Sequence, residues 1–410
     1  MKVDLFAMPT VPATEEDRAR LRPIGRNIDR YQMMIEELRD LAVLADQVGI
    51  EGFSTTEHHF HTEGGEAMPN SILLYADLAA RTRNIHFIPM SVVLTAHNPI
   101  RVAEDIALLD HLSGGRVGVG FARGYQKRWV QVLSQGGPTA MQDADSDALN
   151  RERFYENIEI VLRAWTQDAF DYDGKHFKVP FPHEGIEGWT PVDYTRRYGA
   201  PGEIDDEGRI RKVGVIPRPL QNPYPPVFIP VTGSPSTLYY AAERGFSPFI
   251  YASRPEQFRN SCEEYRRTAA EHGFDYALGQ NVGAVRGLAL GHTWDEAFEY
   301  VARTTGFEFQ YYWSYFGLTE IFRDPAKDDP NKPVKFKDEY ELAQRTIDLG
   351  WQLCGTVDQV KKQLDDLHRC HSDGALEWFQ WNFFYQGKLS RDVQRWQLGT
   401  FAEHVWPEFR

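Results

Sequence analysis

The sequence predicts an α/β fold, a (β/α)8 TIM barrel with two long loop insertions over its carboxyl-terminal face. Three observations point there. Short strand-like runs alternate with helix-period segments along the chain, eight such runs can be counted, and the chemistry-bearing residues fall where strand runs stop. At 410 residues the chain exceeds a minimal barrel of roughly 250 residues. A single domain over 1–410, with insertions at about 168–225 and 306–349, accommodates the excess.

The elements follow in order. Val3 to Met8 reads as a buried strand. Over 29–48, Tyr31, Met34, Ile35, Leu38, Leu41, Ala42, Ala45 and Val48 recur at helical spacing, and Gly49 stands just past the end. A strand at 52–56, a helix near 71–81, a strand at 85–93 and a helix over 99–112 come next. In that last helix Asn98 occupies the N-cap and Pro99 the first helical position. Residues 116–122 read as a strand, 131–149 as a loop and 150–167 as a helix. The first insertion is rich in Pro, Gly and aromatics, with a hairpin-like stretch at 170–177. Strands at 226–231, 248–251 and 282–290 then alternate with helices over 235–244, 255–272 and 294–303. After the second insertion come a helix at 356–368, a strand at 376–384 and a terminal helix. Parallel strands with right-handed crossovers satisfy this order. A doubly wound dinucleotide fold needs GxGxxG at a strand–helix turn. Gly118-Val119-Gly120-Phe121-Ala122-Arg123 has Arg at the third glycine position and runs through a strand, so that fold is rejected.

Composition narrows function. A net charge of −14 argues against nucleic-acid or anionic-membrane partners, which select basic faces. No apolar run is long enough to span a bilayer, and the first residues lack a signal-peptide core. Cys262, Cys354 and Cys370 form no CxxC pair and read as reduced thiols, so a cytoplasmic location is expected.

The most informative segment is Thr55-Thr56-Glu57-His58-His59-Phe60, where a strand run stops and a Gly64-Gly65 loop begins. Imidazoles there suit proton transfer near neutral pH. A metal reading is set aside, because strand geometry turns His58 and His59 to opposite faces and no HExxH or spaced Cys/His set accompanies them. A second segment, Val231-Thr232-Gly233-Ser234-Pro235-Ser236-Thr237, opens a helix behind a strand. Its amides, helix dipole and hydroxyls make an anion site, or else an ordinary helix cap. Arg123 ends the fourth strand and could join the same phosphate or form a surface ion pair. The aromatic runs at 307–316 and 378–385 read chiefly as core, with part of the insertion walling an apolar pocket.

Taken together, EHHF after the second strand, LTAHNPIRVAEDIALLDHLSGGRVGVGFARG across the third and fourth, and TGSPST after the fifth resemble the bacterial luciferase-like, flavin-dependent monooxygenases. The match is densest over the first 130 residues and looser over 226–300 and the Gly355–Val360 run. The resemblance implies a TIM barrel that takes reduced FMN from a separate NAD(P)H-dependent flavin reductase. The flavin reacts with O2 to a C4a-(hydro)peroxide, and one oxygen atom passes to a hydrophobic organic substrate. It places His58 as the catalytic histidine and His59 as a flavin contact. Met90 and Ser91 fall at the family's non-prolyl cis peptide under the flavin ring, and Arg123, Gly233, Ser234 and Thr237 at the FMN phosphate. A homodimer is implied as well. Ala122 stands where bacterial luciferase has a reactive cysteine, which shifts the implied chemistry to a non-luminous monooxygenase. Hydride transfer with the deazaflavin F420, or flavin binding without catalysis, are the alternative readings. The two insertions are expected to act as lids that exclude water.

Overall fold

The computed structural model describes residues 1–140, 143–385 and 387–410. Its strands, in chain order, are β1 (Lys2–Ala7), β2 (Gly52–Thr55), β3 (His86–Pro89), β4 (Val92–Val93), β5 (Val119–Ala122), β6 (Tyr172–Asp173), β7 (Lys178–Val179), β8 (Val227–Val231), β9 (Ser247–Ile250), β10 (Gly283–Leu290), β11 (Gln352–Gly355) and β12 (Trp378–Phe383). The alternation of parallel strands with helices is that of the (β/α)8 barrel class, as the sequence predicts. The chain divides into two compact units, one of residues 1–69, 81–90 and 227–410, the other of residues 70–80 and 91–226.

In the first unit the strands run β3-β2-β1-β12-β10-β9-β8, and every pairing is parallel. The helix Ile28–Val48 shows why the elements form where they do. The Asn27 side chain accepts from Arg30 N at 3.0 Å, Met34, Leu38, Leu41, Ala42 and Ala45 bury one face, and Gly49 ends the helix at φ +87°. A glycine suits that left-handed position. Strand alternation sorts side chains. Phe6, Val285 and Phe249 join the apolar cluster that also holds Met90, Phe309, Trp313, Phe322, Trp351 and Phe384. Arg286, next to Val285, instead lies with its guanidinium 5.0 Å from the ring centre of Phe258 in the helix Pro255–Glu271.

One buried acid sits on the same strands. Asp4 on β1 is fully buried, accepting from Ser54 Oγ on β2 at 2.7 Å and from Gln380 Nε2 on β12 at 2.7 Å. Burial outweighs these bonds and pushes its carboxyl up to about 6. A raised carboxyl holds its proton in the folded chain while the unfolded chain has already released it. Stability therefore falls as pH rises from about 4 to about 6 and is flat above, by roughly 3 kcal/mol in all. Asp4→Asn should remove this share of the slope. Urea midpoints of both proteins at pH 4, 5, 6 and 8 check it, and equal slopes would refute it.

In the second unit β4 and β5 pair in parallel, and β6 and β7 form an antiparallel hairpin in the 168–225 segment, where a hairpin is expected. The long helix Ala144–Thr166 is buried along Phe154, Ile158, Val161 and Trp165, and Trp165 Nε1 donates to Ala103 O at 2.9 Å. One sequence expectation needs correction here. A helix at Lys127–Leu133 and the start of the Ala144–Thr166 helix replace much of the loop expected over 131–149, of which residues 141 and 142 lie outside the described residues. The cause is the cap. Asp143 accepts from Ser146 N at 2.8 Å, and the acidic first turn that reads as loop is what a helix N-terminus favours. A second correction falls in the first unit, where β11 was not among the eight expected strands. It pairs with the carboxyl half of β10, from Gly287 to Leu290. Four residues beside an irregular segment give too little periodicity to show.

Candidate active site

The site is built on the loop after β2, in the first unit. Glu57 and His61 are buried, while His58 and His59 expose about a tenth of their side chains. The loop is pinned by its backbone. His58 N donates to Met68 O at 2.9 Å, Val11 N to Gly64 O at 2.7 Å and Gly25 N to Thr62 O at 2.9 Å. Gly64 is required. It sits at φ +83°, and a Cβ there would meet Ile24 Cγ2 at 2.9 Å and Val11 Cβ at 3.1 Å.

Two histidines are engaged by two carboxylates. His59 Nε2 donates to Glu57 Oε1 at 2.8 Å. His58 Nδ1 lies 3.3 Å from Glu66 Oε1. Burial lowers the His58 imidazole to about 3, although the Glu57 carboxylate pulls the other way. The ring is thus neutral at physiological pH. His61 stacks on His58 with ring centres 5.5 Å apart and planes within 7°.

The 306–349 insertion reaches this loop, a contact not legible in the sequence. Trp313 Nε1 donates to Glu66 Oε1 at 3.1 Å, and the Tyr312 hydroxyl lies 3.4 Å from His61 Nδ1. Phe309, Trp313, Phe322 and Trp351 pack edge to face, with ring centres 4.5–5.6 Å apart. Met90, at the carboxyl end of β3, is buried in the same apolar cluster, and its N–H donates to Thr55 O at 3.0 Å. The cis peptide bonds recorded among the described residues all precede proline, and Met90–Ser91 is not among them. A separate cleft of about 620 Å³ in this unit is lined by Arg30, Arg303, Glu339 and Lys388 among others. Its charged wall suits a polar ligand better than an apolar one.

Gly233, Ser234 and Thr237 lie together after β8. Ser234 is the N-cap of the helix Pro235–Glu243, yet its hydroxyl bonds Ser236 Oγ at 2.8 Å and caps no amide. Gly233 has φ +156° and open space where a Cβ would stand. An uncapped helix start with two hydroxyls and an open glycine fits a phosphate. In the second unit Ser91 is buried just before β4. Arg123 follows β5, with Nη1 donating to Asp147 Oδ1 at 2.9 Å, while its carbonyl accepts from Thr95 Oγ1 at 2.7 Å and Asn150 Nδ2 at 3.0 Å. Its guanidinium is therefore in the ion pair that the sequence left as the alternative.

The comparisons with known proteins agree with this architecture. Residues 1–373 match the luciferase-like monooxygenase family, and the chain belongs to that family. It is 23% identical over 389 residues to the oxygenase component of a flavin-dependent trigonelline monooxygenase from Acinetobacter baylyi, covering 92% of this chain and 91% of that one. The oxygenating constituent of 3,6-diketocamphane monooxygenase from Pseudomonas putida, a type II Baeyer–Villiger enzyme solved in complex with FMN, superposes with a TM-score of 0.71 at 21% identity, over 100% of this chain and 99% of that one. The coenzyme F420 dependent tetrahydromethanopterin reductase from Methanopyrus kandleri shares the fold with a TM-score of 0.63 at 16% identity, over 92% and 96%. The three cysteines are free and buried. Among the described residues no helix is long and apolar enough to cross a membrane.

Proposed function

We propose that this chain is the oxygenase component of a two-component system, using reduced FMN and O2 to oxygenate a hydrophobic small molecule. The observation that carries the reading is His58, a mostly buried, neutral imidazole at the carboxyl end of a barrel strand, beside an aromatic insertion. Bound reduced FMN supplies the activation of O2 and the transfer of one oxygen atom. The chain's own residues have three tasks. His58 accepts and returns a proton, and His59 and Met90 flank the flavin ring. Gly233, Ser234 and Thr237 hold the phosphate. Phe309 and Trp313 keep the site dry. A separate reductase supplies the flavin, and the oxygenase acts as a homodimer in the cytoplasm.

The test is anaerobic titration with reduced FMN, followed by rapid mixing with oxygenated buffer. Binding is expected, with a flavin absorbance transient distinct from both the reduced and oxidised forms. Binding of reduced FMN without such a transient favours F420 chemistry or storage, and absence of binding overturns the cofactor assignment.

A further inference from the structure

Asn382 is the last inward-facing residue of β12, which ends at Phe383. Alternation along the strand fixes its direction. Gln380 Nε2 donates to Asp4 on β1, on the side of the sheet that carries Phe6, whereas Trp381 Nε1 donates to Leu288 O and its ring packs on Phe401. Asn382 therefore shares the face of Gln380 and of Phe384, a member of the apolar cluster with Phe6. In register it stands between Phe6 on β1 and Gly287 on β10. The Phe384 ring centre lies 6.1 Å from that of Phe6 and 5.2 Å from that of Trp313 in the insertion. The carboxamide is thus set among aromatic rings at the carboxyl end of a barrel strand, the end where this fold binds its ligands.

Its oxygen is unpaired. Asn382 is 3% exposed, and Oδ1 has no hydrogen-bond partner among the described residues. The polar groups around it are engaged elsewhere. The Ser54 hydroxyl and Gln380 Nε2 both donate to Asp4 at 2.7 Å. Gln380 Oε1 is a further acceptor and cannot serve another. The Gln352 carboxamide fills the space that a Cβ on Gly287 would need, but it accepts from Thr305 Oγ1 at 3.1 Å and donates to Leu353 O at 3.1 Å. A buried amide left unpaired costs stability that an apolar side chain of similar volume would not. A ligand bearing a donor would recover that loss.

We propose that Asn382 is a specificity-determining residue, whose Oδ1 accepts a hydrogen bond from an uncharged N–H or O–H group on an otherwise apolar substrate lying against Phe6, Phe384 and Trp313. This rests on the reading of the chain as an oxygenase of hydrophobic small molecules. The rings take the body of the molecule, and the amide holds one group of it and so sets which face is presented. A charged donor is disfavoured, because stripping water from an ammonium costs more than one neutral acceptor returns. Entry is by way of the insertion, since Trp313 supplies one of the rings.

The test uses three probes on one bicyclic frame. Oxindole carries an amide N–H, N-methyloxindole lacks it, and indane has neither donor nor added methyl. Each is titrated into the full-length protein by ligand-observed NMR, and into Asn382→Leu. Oxindole is expected to bind the natural protein at least about 10-fold more tightly than N-methyloxindole, the effect of one hydrogen bond to an otherwise unpaired buried group. In Asn382→Leu that ratio should fall to within about twofold, and indane should bind at least as well as before. The urea midpoint of Asn382→Leu should rise, which separates an amide kept for a ligand from one that supports the fold, for instance through a buried water. Equal affinity for the two oxindoles in the natural protein, or no binding of either, overturns the proposal. So does a ratio that survives in Asn382→Leu, or a urea midpoint that falls. If leucine is too large for the chain to fold, Asn382→Ala decides by the ratio alone. The titration uses neither flavin nor oxygen, so a failure of the FMN reading shows in the anaerobic experiment and not in this one.

Discussion

His58→Ala is expected to lower product formation by about 10²–10⁴-fold, the range of a positioned acid–base group. Binding of reduced FMN should stay within a few-fold of the natural protein. The asymmetry follows from the structure. His58 is held neutral by burial and stacked on His61, while the features that fit the phosphate belong to a separate segment after β8. Removing the imidazole takes away the proposed proton acceptor and leaves that segment untouched. The loss should therefore fall on kcat, or on product per flavin oxidised, and not on cofactor affinity. Oxygen consumption with product quantified, beside a flavin titration of the same preparation, checks both halves. A storage protein would be indifferent to the change, so full product yield in His58→Ala would remove catalysis from the assignment.

How much of this was legible in the sequence depended on the distance over which each feature is determined. His58, Gly49 and the Asn98–Pro99 helix start are local, and strand ends and caps have composition signals. The fold class followed from alternation, a sum of many such signals. Glu66 was not legible. It looks like one more acid in a glycine-containing loop, and its partner Trp313 arrives from far along the chain. Its φ of +46° could not be read from a residue type that seldom adopts it. Arg123 shows the reverse limit. Its place at a strand end was evident, but its ion-pair partner Asp147 lay in a segment read as loop. The aromatic run at 307–316 divides in the same way. Its hydrophobicity predicted core and pocket wall together, and the structure sends Phe309 and Trp313 inward while Tyr315 is 84% exposed. No hydropathy pattern separates these positions within a helix that passes from a π turn at Ala302–Gly306 through a short α segment into 3-10 geometry.

That division makes Phe309→Ala the most damaging single change in the insertion, because the residue links the insertion to the core. Phe309 is 4% exposed, with its ring 4.5 Å from Trp313, 4.7 Å from Phe322 and 5.6 Å from Trp351. Truncating a buried phenylalanine costs about 3–5 kcal/mol, a large share of the roughly 5–15 kcal/mol that holds a domain together. The cavity would also loosen Trp313, the donor to Glu66, so two effects should appear together. The urea midpoint should drop, and hydrogen peroxide released per flavin oxidised should rise as water gains entry. Tyr315→Ala, five-sixths exposed on the same segment, should change neither. Deleting 306–316 outright would confuse the two effects by removing core, whereas the point variant separates them when peroxide is measured below its own unfolding transition. A large stability loss with unchanged coupling would mean that the insertion supports the fold without covering the reaction, and the role of Trp313 would then be confined to packing.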